Sequence, residues 1–109
     1  MQGTIIKTKT DWLSLFHSKN YYPDMVKAVV DIKREIIAVE AEWHADIEAL
    51  LLSAGSDNDE LWGINLFPDK TIEFNSLINI RPHLNNRSMD VVDKVLQDKI
   101  SMVVQKWLI

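Results

Sequence analysis

The chain has no cysteine among its 109 residues. That excludes disulfides, thiolate metal sites and a cysteine nucleophile together, and it suits a reducing compartment. Glycine and proline are scarce, with three of each, so a phosphate-binding glycine loop cannot be built alongside the turns. No apolar run approaches the roughly 18–20 residues of a membrane span. The start, Met1-Gln2-Gly3-Thr4-Ile5-Ile6-Lys7, lacks the apolar core of a signal peptide. A cytoplasmic protein with no membrane partner is the expectation. A basic stripe is missing too, which disfavours nucleic acid, because phosphate attraction dominates such binding.

What is present suits one domain over residues 1–109, long enough for a modest core and too short for two. Four tryptophans are many for this length, and tryptophan ordinarily supplies core mass or an interface. The net charge of −4 is unevenly spread: residues 24–60 carry ten acids against Lys27, Lys33 and Arg34. An acidic middle reads as a solvated face or as a surface for a basic partner.

Thr10-Asp11-Trp12-Leu13-Ser14-Leu15-Phe16 reads as a short helix capped by Thr10, ended by Tyr21-Tyr22-Pro23. Residues 25–32 and 35–43 are rich in β-branched side chains around Lys33-Arg34, which predicts a hairpin, with helix as the alternative. Residues 44–54 read as a short helix capped by Asp46, with Ile47, Leu50, Leu51 and Ala54 as its stripe and Gly55 as its stop; a strand is the alternative. A second hairpin is expected from 61–67 and 71–80 around Pro68-Asp69-Lys70. The C-terminal helix is predicted from Val92, Val95, Leu96, Ile100, Val103, Val104, Trp107 and Leu108, with Ser88 or Asp90 as cap. The sum is an α+β domain: an antiparallel sheet of about four strands, packed on one side by three helices.

Three runs carry a resemblance: "MVKAVVDIKREIIAV" (25–39), "HADIEALLLSAGSDNDELWGINLFP" (44–68) and "SLINIRPHLNNRSMDVVD" (76–93). They resemble a family of small prokaryotic proteins known only as a domain of unknown function. The resemblance implies a single compact domain and brings no activity, cofactor or partner. Glu40 and Ala41 stand where the family pattern has a Gly-Gly pair, and Asn85 stands where it commonly has glycine.

Two constellations have chemistry in them. His44-Ala45-Asp46, with Glu48 nearby, offers an imidazole and carboxylates for acid–base work or a metal, although no second histidine lies at ligand spacing and no metal or other cofactor is indicated. The bland reading has Asp46 as a cap and His44 in a local hydrogen bond. The stretch Asn79–Ser88 concentrates Arg81, Asn85, Asn86, Arg87 and Ser88. Guanidinium groups before a helix start would make a small anion pocket, with Trp62 and Asn65 as a wall. The bland reading spends the asparagines and serine on turns and caps, and pairs the arginines with the acidic middle.

The reading that follows is a non-catalytic interaction or ligand-binding module, with a protein partner, self-association or a small anionic ligand. The alternative is a small hydrolase or transferase acting on a phosphate- or carboxylate-bearing compound, with His44 and Asp46 as catalytic pair and Arg81, Arg87, Asn86, Ser88, Trp62 and Asn65 as binding residues. That alternative requires the two constellations to meet in space.

Overall fold

The computed structural model describes residues 2–16 and 24–109. The expected stop at Tyr21-Tyr22-Pro23 lies outside the described residues. Five strands form one antiparallel sheet in the order β1-β3-β2-β4-β5, with β1 Thr4–Ile5, β2 Val26–Asp31, β3 Ile36–Val39, β4 Leu61–Leu66 and β5 Ile72–Glu73. Helix α1 spans His44–Ser53 and α2 spans Lys94–Trp107. No helix among the described residues is long and apolar enough to cross a membrane.

The first hairpin forms as read. β2 and β3 pair from Ala28↔Val39 to Asp31↔Ile36. Asp31 Oδ1 organises the turn by accepting from the N–H groups of Lys33 and Arg34, each at 2.9 Å. Glu35 takes the left-handed φ of 54° that closes it.

Side chains alternate along β2 and β4, so the sheet has two apolar faces. Val26, Ala28, Val30, Trp62, Ile64 and Leu66 join Ile100, Val103 and Val104 of α2. Val29, Ala38 and Leu61 join Ile47 and Leu51 of α1. The helices therefore cover both faces, where the sequence reading put them on one. β2 has almost no exposed position, as a strand covered on both sides requires.

Several local expectations are corrected. Residues 12–16 form a 3-10 turn, and Thr10 does not cap it; Thr10 instead bridges in parallel to Leu108. Helix α1 begins two residues before Asp46, with Trp43 at the cap position and no side chain capping it. Its end is as read: Gly55, at φ 102°, lets the Gly55 and Ser56 N–H groups reach back to the Leu52 and Leu51 carbonyls. Helix α2 is capped by Asp93, whose carboxylate accepts from Val95 N–H at 2.9 Å, and not by Ser88 or Asp90. Val92 and Val95 are 66% and 62% exposed and lie off the buried stripe.

The second hairpin is the largest correction. β5 ends at Glu73, and residues 77–79 form a 3-10 turn where a strand to Ile80 was expected. Ser76 starts that turn by accepting from Ile78 N–H. The chain then crosses β4 so closely that a Cβ on Gly63 would stand 2.5 Å from the Ser76 Cβ. Glycine is required there for space, since its φ is ordinary.

Glu40 and Asn85, where the resemblance suggests glycine, adopt φ 70° and 60°. A side chain in this region costs on the order of 1 kcal/mol, less for asparagine. The two kinds of glycine position give opposite predictions. Gly63→Ala should destabilise by about 2–3 kcal/mol through overpacking, lowering the melting temperature by on the order of 10 °C. Glu40→Gly should leave stability unchanged or raise it by about 0.5 kcal/mol. Thermal and urea unfolding of both variants checks this; equal effects would contradict the assignment.

Candidate functional site

The Asn79–Ser88 stretch folds as a clamp on the outer edge of β4. β5 pairs only with Asn65 and Leu66, so the edge from Leu61 to Gly63 has no strand beside it. Asn79 substitutes for one: its Oδ1 accepts from Gly63 N–H at 2.8 Å and its Nδ2 donates to Gly63 O at 2.9 Å. Arg81 continues the row by donating from Nη1 to Leu61 O. Asn86 holds the clamp together. Its Nδ2 reaches the carbonyls of Asn79, Ser88 and Asp90, and its Oδ1 accepts from Val92 N–H at 3.0 Å.

Arg81 is 4% exposed. Its Nη2 is 3.0 Å from Glu48 Oε2, and its guanidinium lies 5.2 Å over the Trp62 ring. Burial holds the Arg81 pKa below its ordinary value although Glu48 opposes this; burial raises that of Glu48, against the pull of Arg81. Of the two arginines read as an anion pair, Arg81 is thus spent on the acidic middle of the chain. Arg87 is exposed. Ser88 is half-buried and accepts from Asp90 N–H as a local turn.

The helix separates Asp46 from His44 and Glu48, which lie one turn apart on one face of α1. His44 and Asp46 point to nearly opposite sides of α1, being two residues apart. Among the described residues no three histidine and carboxylate groups come together to hold a metal. The buried His44 has its Nε2 2.8 Å from Ile64 O, so Nε2 carries a proton and donates. Glu48, one turn on, faces Arg81 and Asn58. Two His44/Arg81 partners expected in one pocket are therefore engaged elsewhere, one on Ile64 and one on Glu48 and Leu61.

Two predicted residues do come together. His44 and Asn65 share a cleft of about 210 Å³ with Lys27, Trp43, Ala45, Asn75, Ser76, Leu77, Ile78 and Met89. Register explains the floor: Lys27 and Asn65 are cross-strand neighbours on the α1 face of the sheet. The start of α1 forms one wall and the Ser76–Ile78 turn the other. Trp62 lies in the opposite cluster and takes no part. Sequence reasoning missed Lys27, because only strand register brings it to Asn65, and Trp43, which it placed at the end of a strand. The available signal was a large apolar residue directly before a helix with no capping side chain.

Burial, the largest cause, and the nearby Lys27 lower the pKa of His44 from 6.5 to about 4, opposed by its bond to Ile64 and by the Asn65 side chain beside it.

A five-stranded antiparallel sheet between two helices, with a polar-floored cleft at the start of one of them, defines a small single-unit α+β domain. The chain belongs to the family described as protein of unknown function DUF5674, whose model matches residues 4–107. No curated protein and no solved structure matches it.

Two predictions follow from these bonds. Arg81→Met leaves the partly buried Glu48 carboxylate without its countercharge, and the Leu61 carbonyl without its donor. Removing one partner of a buried pair costs roughly 3–5 kcal/mol; Glu48 keeps some contact with water, so about 2–3 kcal/mol is expected in urea unfolding. The double variant Arg81→Met, Glu48→Leu should recover part of that loss, and no recovery would refute the pairing. For His44, the lowered pKa means that the neutral ring stabilises the fold fully above pH 6.5. That contribution, roughly 3 kcal/mol, is lost as pH falls from 6.5 towards 4. The raised pKa of Glu48 acts in the opposite sense. An NMR titration should find the His44 ring neutral and Nε2-protonated down to about pH 4; a midpoint near 6.5 would contradict its burial.

Proposed function

We propose that the protein is a non-catalytic ligand-binding module and that the cleft between α1 and the Ser76–Ile78 turn is its site. The observation that carries this reading is the rim. Trp43 and Leu77 are 58% and 71% exposed, and they flank a floor of Lys27, His44 and Asn65. Apolar walls around a few placed polar groups are the common composition of small-molecule sites. The volume suits a ligand the size of one amino-acid side chain, with an apolar body against Trp43 and Leu77.

The hydrolase or transferase reading draws less support, because it needed Arg81 free for an anion, and Arg81 is held by Glu48 and the Leu61 carbonyl. A second reading, a surface for a protein partner, draws on the exposed apolar residues Ile80, Leu84, Met89 and Val92 that continue from Leu77 along the clamp.

Amide-shift mapping with small apolar fragments tests the proposal. Shifts should cluster on residues 43–45, 65 and 75–78, and Trp43→Ala should weaken binding about tenfold while leaving the melting temperature within a few degrees, as for an exposed residue. Shifts centred on 80–92 would favour the partner surface instead. Binding that survives Trp43→Ala unchanged would remove the cleft as the site.

A further inference from the structure

We propose that the cleft receives the carboxylate head of its ligand at the start of α1 and takes up one proton on His44 with it. This rests on the cleft being the binding site.

The first part comes from the helix start. Helix α1 is ten residues long and its cap residue, Trp43, has no side-chain acceptor. The N–H groups of Asp46 and Ile47 turn back to Trp43 O. Among the described residues nothing accepts from the N–H groups of His44 and Ala45, and both residues line the cleft. Unsatisfied N–H groups and the helix dipole favour an anion at this position. Lys27 adds positive charge from the cleft floor.

The second part comes from Asn65, which is 5% exposed. Its Nδ2 donates to Glu73 Oε1 at 2.8 Å and to Asn75 O at 3.2 Å, which fixes the orientation of the amide. Its Oδ1 is buried without a donor. Asn65 stands beside the His44 ring. The single proton of the neutral ring is committed on Nε2 to Ile64 O, so Nδ1 offers only a lone pair. A second ring proton on Nδ1 is the donor the protein has within reach for Asn65 Oδ1.

Without an anion beside it, that proton is opposed. Burial disfavours the charged ring, and Lys27 on β2 repels it. Glu73 of β5 approaches only through Asn65 Nδ2. The 75–78 turn carries no ionisable group, and Asp46 lies on the other side of α1. An anion seated over His44 and Ala45 changes this balance. It offsets Lys27, draws a proton from solvent onto Nδ1, and lets the imidazolium donate to both Ile64 O and Asn65 Oδ1. Ligand and proton then bind with positive coupling.

NMR titration of the full chain with hexanoate, hexanamide and hexyl phosphate tests this. Hexanoate should shift the His44 and Ala45 amides and raise the midpoint of the His44 ring. Its affinity should tighten about fivefold from pH 7.5 to 5.5, the sense expected of a proton taken up with the ligand over the lower part of that range. Hexanamide should bind about tenfold more weakly with no pH dependence, and Lys27→Met should weaken hexanoate by a similar factor. Hexanamide binding as tightly as hexanoate, or a His44 midpoint that hexanoate leaves unmoved, would overturn the proposal. Tighter binding of hexyl phosphate would overturn the carboxylate assignment. If no probe touches the cleft, the ligand-binding reading itself fails.

Discussion

The unpaired edge of β4 is the constraint that organises the rest of the molecule. Leu61 to Leu66 are all buried, and β2 satisfies one side of the strand along its whole length. On the other side β5 covers just two residues. Buried backbone groups left without partners would cost several kcal/mol between them. The chain answers with side chains. Asn79 presents an amide to Gly63 in the same donor–acceptor pattern as a strand backbone, and Arg81 supplies Leu61. An edge closed in this way offers no template for pairing with another sheet.

The clamp then dictates its neighbours. Asn79 and Arg81 can hold their positions only if the chain crosses β4 closely at Ser76, which is why residue 63 has no Cβ. Arg81 also needs a countercharge, which Glu48 supplies from α1, so the clamp and the helix are joined by one ion pair. The same crossing leaves a gap between the Ser76–Ile78 turn and the start of α1. The cleft is therefore a by-product of edge closure, roofed by structure that stability already requires.

Much of the fold was legible because burial writes periodicity into sequence. The first hairpin, α1 and the inner stripe of α2 each show it, and the glycine stop of α1 acts as read. The second hairpin was misread because Ile72, Phe74, Ser76, Ile78 and Ile80 alternate as a strand would. Ser76 breaks that pattern by capping a turn, a role that a serine in an alternating run does not announce. Arg81 was legible only as a choice between an anion site and a countercharge to the acidic middle; Glu48 decides it, and that contact is 33 residues away in sequence. The pairing of Lys27 with Asn65 depends on strand register, which spacing along the chain does not encode.

Three buried asparagines separate architecture from site. Asn79 makes three hydrogen bonds and Asn86 makes four, using both ends of each amide. Such residues are fully explained by the fold. Asn65 uses only its Nδ2 and leaves Oδ1 without a donor. Two other buried polar atoms among the described residues are unpartnered, Asp31 Oδ2 and Trp62 Nε1. Asp31 sits in a turn its other oxygen already organises, and Trp62 packs against Arg81, so both have structural work. Asn65 alone of the three lines the cleft, beside a histidine with one proton already committed. A fold that satisfies Asn79 and Asn86 so completely has left one acceptor open at the one place where a ligand can change the protonation of its neighbour.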